Sequence, residues 1–389
     1  MDMIDLDDQY VVGTYARTGI ELSTGRNASI YDIDQNKYVD FTSGIGVNSL
    51  GYCDPDWQYA VECQTKMLQH ASNNFVTSPM AELAKLLCLK TKYSKLVYSN
   101  SGAEANECAI KLARKYSFDK YGKEKNRNKI ITLKNSFHGR TVTTLSATGQ
   151  DSFHNYFFPF TEGFDYANAN DIADVNEKLT DDVCAVMLEF IQGEGGVVPL
   201  ENNFVNQLFE ICKQRDILII ADEVQTGVSR TGEFLASEIF GVKPNITTLA
   251  KGLGGGLPIG VVLTDEKTCD VFKNGDHGST FAGNPVVCAG AIAVFNKVVK
   301  KDFLQAVREK SDYIRRELLQ LDEVEKIDGL GLMLGITLKT KNATDVRKAC
   351  LQNGLLVLTA KEKIRLLPPL TITQEEIEIG LNILKEVLK

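Results

Sequence analysis

The sequence has no apolar run long enough to cross a membrane. Its longest apolar stretch, from Pro285 to Phe295, is well short of the roughly 20 residues that a spanning helix needs. It also lacks a basic excess, since 43 Lys and Arg stand against 51 Asp and Glu, and we find no basic stripe. Because nucleic-acid-binding proteins carry such an excess or stripe, we expect neither membrane nor nucleic acid as a partner.

Paired cysteine patterns, repeats and linkers are missing as well. The nine cysteines are odd in number and form no C-x-x-C pair, which argues against a disulfide framework and against a metal site. The first eight residues are acidic and lack the basic start and apolar run of a signal peptide. We therefore expect a cytoplasmic protein in a reducing compartment.

The 389 residues are enough for two or three domains. Between residues 80 and 265, short unalternating apolar runs alternate with helical stretches, a pattern that predicts an α/β fold with a mostly parallel sheet buried on both faces. The predicted strands are Lys95–Tyr98, Lys129–Leu133, Cys184–Leu188, Ile217–Ala221, Ile246–Leu249 and Ile259–Leu263. The predicted helices between them are Met80–Lys90, Ala103–Tyr121 and Phe204–Arg215.

After Asn284 the pattern changes to longer helices with short strands, which indicates a smaller α+β unit. The predicted helices there are Pro285–Val299, Asp302–Leu321, Ala343–Asn353 and Gln374–Leu388. The first 40 residues show short strands and turns and are too few to fold alone, so we expect them to join this unit. The prediction is a large domain over residues 45–284 and a small domain built from residues 1–44 and 285–389.

Lys251 gives the clearest chemical signal. It stands two residues after the short apolar run that ends at Leu249, and partial burial there would lower the pKa of its amine and make it available as a nucleophile or base. Four of the next five residues are Gly, which lets the backbone approach a bulky group. A surface lysine beside a flexible loop is the alternative, whereas a phosphate loop is disfavoured because its Lys follows the glycines.

Two further strand ends carry polar groups. Asp222 ends the apolar run that begins at Ile217, and ligands of open α/β sheets bind outside such strand ends. A carboxylate there costs several kcal/mol if unpaired, so we expect a cationic partner; a helix cap or loop acid is the alternative. The segment Ser99–Asn106 opens a helix whose first N–H groups can hold an anion, although Ser101 can also be a plain N-cap.

Other candidates lie in similar loops. In the segment Asn135–Thr141, we predict that His138, taken alone, is a structural hydrogen-bonding residue and that Arg140 binds a carboxylate. Glu194 occupies a Gly-rich turn, Arg365 stands in an apolar setting, and small residues precede the helix that begins at Pro285.

Taken in order, these segments resemble the class III aminotransferases of the pyridoxal-phosphate fold-type I superfamily, from about Tyr15 to the end. The residues that carry the resemblance are Ser101–Asn106, Phe137–Thr141, Asp222–Gly227, Lys251 with its glycines, and Ser279–Pro285. The resemblance implies a large domain with a mostly parallel central sheet, a smaller α+β domain, the cofactor pyridoxal 5'-phosphate, and a homodimer with shared active sites.

The resemblance also assigns roles. Lys251 would bind the cofactor aldehyde covalently and then move the proton, Asp222 would pair with the pyridinium nitrogen, and Phe137 would stack on the ring. Gln225 would bind the ring hydroxyl, and Thr280 would reach the phosphate of the neighbouring subunit. The full set of implied cofactor contacts is Ser101, Gly102, Ala103, Phe137, His138, Asp222, Val224, Gln225, Lys251 and Thr280.

For substrates, the resemblance assigns Arg140 and Ser279 to an acylated amino donor and Arg365 to the α-carboxylate of 2-oxoglutarate. Glu194 would swing onto Arg365 while the terminal amine reacts, so that one site serves two substrates. The implied reaction moves the terminal amino group of N-acetylornithine to 2-oxoglutarate, giving N-acetylglutamate 5-semialdehyde and glutamate. Succinylornithine, succinyldiaminopimelate, 4-aminobutyrate and ornithine are the alternative donors.

Four positions bear on this resemblance. Tyr52 and Asp54 stand where the family usually has His, and Asp328 stands where Arg is more usual. Ile45 falls where ornithine δ-aminotransferases carry Tyr, which makes free ornithine a less expected donor.

Two other classes of protein remain as alternatives. A Schiff-base lysine enzyme without the cofactor, such as an aldolase, would explain Lys251. It would leave Asp222, Phe137 and the anion site without a purpose. A binding protein on the same scaffold would not need Lys251.

Overall fold

The structure, a computed structural model, describes residues 2–389. The strands are β1 (Leu22–Arg26), β2 (Ser29–Asp32), β3 (Lys37–Asp40), β4 (Lys95–Ser99), β5 (Lys129–Leu133), β6 (Phe164–Ala167), β7 (Val183–Leu188), β8 (Ile191–Gln192), β9 (Val198–Pro199), β10 (Leu218–Asp222), β11 (Ile246–Leu249), β12 (Gly260–Thr264), β13 (Val324–Leu330), β14 (Met333–Leu338), β15 (Leu355–Leu356), β16 (Leu358–Ala360) and β17 (Lys363–Leu366). The helices are α1 (Met3–Tyr10), α2 (Ser43–Gly46), α3 (Pro55–Met67), α4 (Ser78–Thr91), α5 (Gly102–Tyr121), α6 (Val142–Ala147), α7 (Ile172–Lys178), α8 (Asn202–Gln214), α9 (Ala236–Ile239), α10 (Pro285–Val298), α11 (Lys301–Leu318), α12 (Ala343–Gln352) and α13 (Gln374–Leu388). Within these residues, none of the helices combines the length and the apolar character that crossing a membrane requires.

A seven-stranded sheet forms the centre, in the order β4-β12-β11-β10-β7-β5-β6. All six predicted central strands are present within a residue or so of their expected ends, and the mostly parallel α/β sheet is confirmed. Side chains of β7 and β10 are buried along their whole length, as expected for strands covered by helices on both faces. The seventh strand, β6, was not predicted, because Phe164-Asp-Tyr-Ala is short, partly polar and only half-buried at the sheet edge.

One strand runs against the others. β12 is antiparallel to both β11 and β4. A parallel return to the sheet needs a crossover of a dozen or more residues, and only the short Lys251 loop joins β11 to β12. The reversed strand therefore follows from the length of the loop that carries Lys251.

The two ends of the chain meet in a second sheet, ordered β1-β2-β3-β15, in which β15 pairs in parallel with β3. Glu376 in the first turn of α13 accepts hydrogen bonds from the backbone N–H of Ala28 (3.1 Å) and from Ser29 Oγ (3.2 Å). These contacts connect the first 40 residues with the last 40. The domain boundaries at 44/45 and 284/285 stay a prediction.

A buried arginine connects three segments of the chain. Arg230 is 2% exposed and donates to the carbonyls of Leu332 (3.0 Å) and Pro368 (2.5 Å), with a longer contact to Ser43 Oγ (3.4 Å). Ser43 Oγ in turn donates to the carbonyl of Leu367 (2.6 Å). Hydrogen bonds of this kind satisfy a guanidinium that would otherwise be costly to bury, and they hold the strand that carries Arg365 against the central sheet.

The structure explains two of the positions that depart from the family pattern. Asp54 accepts hydrogen bonds from the N–H groups of Asp56 and Trp57, both at 3.1 Å, as the N-cap of α3, and it pairs with Lys297 at 2.6 Å. Asp328 pairs with Lys363 (2.6 Å), a neighbour of Arg365 on β17. Both acids thus have cations beside them.

Tyr52 binds a buried carboxylate. Its hydroxyl donates to Asp40 Oδ2 at 2.8 Å, while Thr42 donates to Asp40 Oδ1. Burial raises the pKa of Asp40, and the hydrogen bonds from Thr42 and Tyr52 oppose that rise. Tyr52 therefore stabilises an acid that has no solvent contact.

We expect Tyr52→Phe to lower the free energy of unfolding by about 1–3 kcal/mol, because one buried carboxylate oxygen loses its donor. Urea denaturation followed by circular dichroism measures this change. Tyr31→Phe, at a half-buried tyrosine on β2, is the control and should change stability less. Equal stability of the two variants would show that the Asp40 contact contributes nothing.

Candidate functional site

A cavity of about 430 Å³ opens where the parallel strands of the central sheet end. Loops that follow β4, β5, β7, β10 and β11 form its walls, the position at which open α/β sheets bind ligands. Ten of the predicted site residues line it, namely Ser101, Gly102, Ala103, Phe137, His138, Arg140, Asp222, Val224, Gln225 and Lys251. Four others, Glu194, Ser279, Thr280 and Arg365, lie outside its lining.

Lys251 lines the cavity and lies two residues after the end of β11. Its side chain is half-buried, as expected. Burial lowers the pKa of its amine, and the carboxylates of Glu194 and Asp222 oppose that effect. Its backbone has φ of 41°, in the left-handed region, a conformation that costs about 1–3 kcal/mol and is concentrated at functional sites. Among residues 2–389 no acid forms an ion pair with Nζ of Lys251, so this amine can react.

Asp222 is the last residue of β10 and is 4% exposed. Its Oδ2 accepts from Asn106 Nδ2 at 2.7 Å and lies 2.8 Å from His138 Nδ1, while its Oδ1 accepts from the N–H of Val224 at 3.0 Å. The groups that take the place of the expected cationic partner are the His138 imidazole, the Asn106 amide and the backbone N–H of Val224, and within residues 2–389 no Lys or Arg pairs with this carboxylate. Held on one side by these groups, the carboxylate still lines the cavity.

Asn106, at the end of the Ser101–Asn106 segment, has no predicted role. Besides donating to Asp222 and to the carbonyl of His138 (2.7 Å), it accepts from Thr248 Oγ1 at 2.8 Å. It thus connects the strand ends that carry Asp222 and Lys251 to helix α5. Its position inside that helix gave no sequence signal for this contact.

The segment predicted to hold an anion lies at the start of α5. Ser101 is the N-cap, with its Oγ accepting from the N–H of Glu104 at 3.1 Å. The N–H groups at the first positions of a helix have no partner within the helix, and in a 20-residue helix they carry the positive end of the dipole. A Cβ at Gly102 would lie 2.7 Å from Val224 Cγ1, so only Gly allows this close approach.

Phe137 and Arg140 both line the cavity. The Arg140 guanidinium lies 4.3 Å from the centre of the Phe153 ring and 5.8 Å from that of Phe137. Arg140 is exposed, and no carboxylate within residues 2–389 pairs with it. It is therefore a cation available to a ligand carboxylate, held by contacts with two aromatic faces.

A second arginine is buried and paired. Arg365 is 3% exposed; its Nη1 lies 2.6 Å from Glu194 Oε1 and its Nη2 lies 3.3 Å from Glu194 Oε2. Nη1 also approaches Gln225 Oε1 at 3.3 Å, which connects the pair to the cavity lining. Burial raises the pKa of Glu194, but the guanidinium of Arg365, together with Lys251 and Gln225, outweighs this effect and the net shift is downward.

Glu189 lines the cavity and was missed by the sequence analysis. It follows β7 directly and is 6% exposed, and its Oε2 accepts from the N–H of Phe137 (3.0 Å) and its Oε1 from that of Gly193 (3.3 Å). Burial raises the pKa of this carboxyl, and His138 opposes the rise. The signal was present, since Glu189 follows an apolar strand just as Asp222 ends one.

Ser279 and Thr280 lie in the loop before α10. Ser279 Oγ accepts from Asn100 Nδ2 at 2.7 Å, and Asn100 lines the cavity. Asn73 Nδ2 donates to the carbonyls of Ser279 (3.0 Å) and Ala282 (3.1 Å). Thr280 is exposed and lies outside this cavity's lining.

The cavity residues fit pyridoxal 5'-phosphate on their own chemistry. A helix N-terminus offers N–H donors for a phosphate, a buried carboxylate stands ready for a ring nitrogen, and Lys251 offers an amine for an aldehyde. No group of His, Cys, Asp and Glu side chains in the described chain is arranged to hold a metal ion.

Comparison with known proteins places the chain in a family. The family model described as aminotransferase class III matches residues 13–388. Acetylornithine aminotransferase of Haemophilus ducreyi is 50% identical over 98% of this chain and 97% of its own length. The crystal structure of ornithine aminotransferase from Toxoplasma gondii matches with a TM-score of 0.94 at 32% identity, covering 99% of this chain and 94% of that one.

A third relative bears on the choice of substrate. The N-acetylornithine aminotransferase of Stenotrophomonas maltophilia superposes with a TM-score of 0.86 at 33% identity, over 99% of this chain and 98% of that one. Similarity of fold therefore does not distinguish a relative named for ornithine from one named for N-acetylornithine. It agrees with the sequence match on the family: the chain is a class III aminotransferase.

Proposed function

We propose that the protein transfers the terminal amino group of N-acetylornithine to 2-oxoglutarate, giving N-acetylglutamate 5-semialdehyde and glutamate. The observation that carries the proposal is the Arg365–Glu194 pair beside the Lys251 cavity. It provides a carboxylate-binding guanidinium that can be shielded or exposed. The half-identical relative from Haemophilus ducreyi, named for acetylornithine, supports this choice of donor.

Bound pyridoxal 5'-phosphate supplies an electron-withdrawing ring that stabilises negative charge on the substrate Cα. In this chain the start of α5 would hold its phosphate, Asp222 its ring nitrogen and Phe137 its ring face. Lys251 Nζ, with its lowered pKa, would take and return the proton. Such general acid–base catalysis contributes about 10²- to 10⁴-fold to a rate.

Glu194 would allow one site to take two substrates. While N-acetylornithine presents its terminal amine, Glu194 neutralises Arg365, because an unpaired buried guanidinium is costly. When 2-oxoglutarate binds, its α-carboxylate takes the place of Glu194 on Arg365. The exposed Arg140 would hold the carboxylate at the far end of either substrate.

The test compares kcat/KM for N-acetylornithine, N-succinylornithine, ornithine and 4-aminobutyrate, with 2-oxoglutarate as the acceptor. We expect N-acetylornithine to give the highest value.

In Arg140→Ala, kcat/KM for N-acetylornithine should fall about tenfold to a hundredfold, because one charged hydrogen bond is lost. Cofactor absorbance should persist.

The control is Arg347→Ala, at a half-buried arginine on α12 outside the cavity, which should leave all four values unchanged. A highest kcat/KM with 4-aminobutyrate would show the donor assignment to be wrong.

Ornithine is the second candidate donor, favoured by the TM-score of 0.94 to the ornithine aminotransferase of Toxoplasma gondii. Against it stands Ile45, which lies 43% exposed in a left-handed turn from Ser43 to Gly46. Val47, two residues later, lines the cavity. A rate with ornithine above that with N-acetylornithine would favour this candidate.

A homodimer with shared sites forms part of the proposal. Three exposed apolar side chains, Phe75 (68%), Val76 (81%) and Phe281 (62%), lie on segments joined by the hydrogen bonds of Asn73, and contiguous exposed apolar surface marks interaction sites. Thr280 adjoins Phe281 in the sequence. Light scattering should give twice the mass of one chain, and an active monomer would contradict the proposal.

We also propose that the protein is cytoplasmic. All nine cysteines are free, as in proteins of reducing compartments. Fractionation of cells that express the protein should recover it with cytosolic markers, and recovery with membranes or the medium would contradict this assignment.

A further inference from the structure

Two loops of the site carry residues with different proposed roles. The loop after β5 presents Phe137 to the cavity, whereas the turn after β8 presents Glu194 to Arg365. Neither loop is part of a long helix or strand. The positions of these two loops therefore depend on the hydrogen bonds that their own residues make.

One carboxylate bonds to both loops. Glu189 Oε2 accepts from the N–H of Phe137 at 3.0 Å, and Glu189 Oε1 accepts from the N–H of Gly193, the residue before Glu194, at 3.3 Å. Because Glu189 is only 6% exposed, water cannot readily replace these bonds. Each oxygen thus holds one loop, and the fully buried strand β7 holds Glu189.

The Glu194 turn makes further contacts beside this bond. Gln192 Nε2 donates to the carbonyl of Lys134 at 2.8 Å. A Cβ at Gly193 would overlap the side-chain amide of Gln225, and one at Gly195 would lie 2.5 Å from the carbonyl of Asn135. These contacts surround the turn, and the hydrogen bond from the Gly193 N–H to Glu189 Oε1 fixes the backbone next to Glu194.

We propose that Glu189 is a positioning residue that holds Glu194 in place on Arg365 and, through its other oxygen, holds Phe137 against the cavity. This rests on the proposed function, in which a dicarboxylate displaces Glu194 from Arg365. Both backbone partners of Glu189 donate to it as an acceptor. Glu189→Gln would replace one acceptor oxygen by a donor and remove the charge from the other, and so would weaken the hold on both loops.

The test measures binding of glutarate, a dicarboxylate that lacks the keto group and cannot react, to the cofactor-loaded protein by calorimetry. Glu194→Gln should tighten glutarate binding, because the competing charge on Arg365 is removed. Glu189→Gln should also tighten it, about threefold to tenfold, because Glu194 is held less firmly. In the double variant Glu189→Gln should add less than twofold, since contacting residues are not additive.

A second measurement addresses Phe137. The dissociation constant of pyridoxal 5'-phosphate should rise about threefold in Glu189→Gln. The rise should be the same in the wild-type background and in the Glu194→Gln background, since this effect does not pass through position 194. An unchanged constant would overturn the Phe137 half of the proposal. Glu189→Asp keeps the charge but cannot span both N–H groups, and it provides the same readings if Glu189→Gln does not fold.

The matched control is Glu376→Gln, at a buried carboxylate that also accepts backbone N–H groups but lies at the start of α13, away from the cavity. It should lower Tm without changing glutarate binding. For glutarate binding, an equal effect of Glu189→Gln in the wild-type and Glu194→Gln backgrounds, no effect of Glu189→Gln, or the same shift in Glu376→Gln would overturn the proposal. Turnover with N-acetylornithine is measured separately, so a wrong donor assignment leaves this cycle interpretable.

Discussion

Lys251→Ala should reduce transamination by about 10⁴-fold or more while leaving the fold intact. The variant removes both the nucleophile toward the cofactor aldehyde and the general acid–base group, and the second role alone is worth up to about 10⁴-fold. Circular dichroism should be unchanged, because Nζ of Lys251 makes no ion pair within residues 2–389. The visible absorbance of the purified protein should be altered or lost.

The matched control is Lys310→Ala. Lys310 is also half-buried, burial also lowers the pKa of its amine, and it donates to the carbonyl of Leu370 at 2.9 Å, outside the cavity. Lys310→Ala should lower the free energy of unfolding and leave the visible absorbance of the protein unchanged. A Lys251→Ala protein that retained a tenth of the wild-type rate would contradict the assignment of Lys251.

The lowered pKa of Lys251 has a consequence for pH. Only the uncharged amine attacks an aldehyde, so cofactor uptake by the cofactor-free protein should rise with pH. The ordinary pKa of a lysine side chain is about 10.4. Since burial lowers the pKa of Lys251, the rate of cofactor uptake should reach its plateau at a lower pH than this ordinary value implies. Stopped-flow absorbance across a pH series measures the midpoint, and a midpoint at or above the ordinary value would contradict the burial effect.

Asp222→Asn should lower kcat by about 10²- to 10³-fold, the usual cost of removing one preorganised electrostatic group. The amide keeps the shape of the side chain but loses the negative charge opposite the cofactor ring nitrogen. It also turns a donor toward Asn106 or His138, both of which lie within 2.8 Å of the present carboxylate oxygen. Steady-state kinetics on fully loaded protein measure the change.

Asn106→Ala provides the graded comparison. It removes one donor to Asp222 but keeps the charge, so we expect about a tenfold loss, equivalent to one hydrogen bond to a charged group. If Asn106→Ala were as damaging as Asp222→Asn, the geometry of the carboxylate rather than its charge would be the important property.

The central sheet was predictable because its strands are short, apolar and bounded by polar residues. Lys251 and Asp222 were found for the same reason, since each stands at the end of such a run. Strand direction was not predictable from the same pattern: β12 is as fully buried as the parallel strands β7 and β10, and only the length of its connection reverses it. The edge strand β6 was missed because it is not apolar enough to stand out.

The contacts within the site depend on tertiary structure. Asn106 reaches Asp222 because α5 is rotated to face β10, which no local pattern encodes. Arg365 and Glu194 are 171 positions apart, and their pairing came from the family resemblance rather than from spacing. Glu189 could have been found, because the rule applied to Asp222 applies equally to a carboxylate that follows β7.

The parallel pairing of β15 with β3 has a consequence for synthesis of the chain. Leu355 leaves the ribosome tens of seconds after Asp40 at ordinary rates of about 5–20 residues per second. Throughout that interval one edge of β3 has no partner, and an unpaired strand edge invites association with other chains. Nascent protein therefore needs protection at its first strands, and variants that slow elongation between these two segments should aggregate during translation more than they do on refolding.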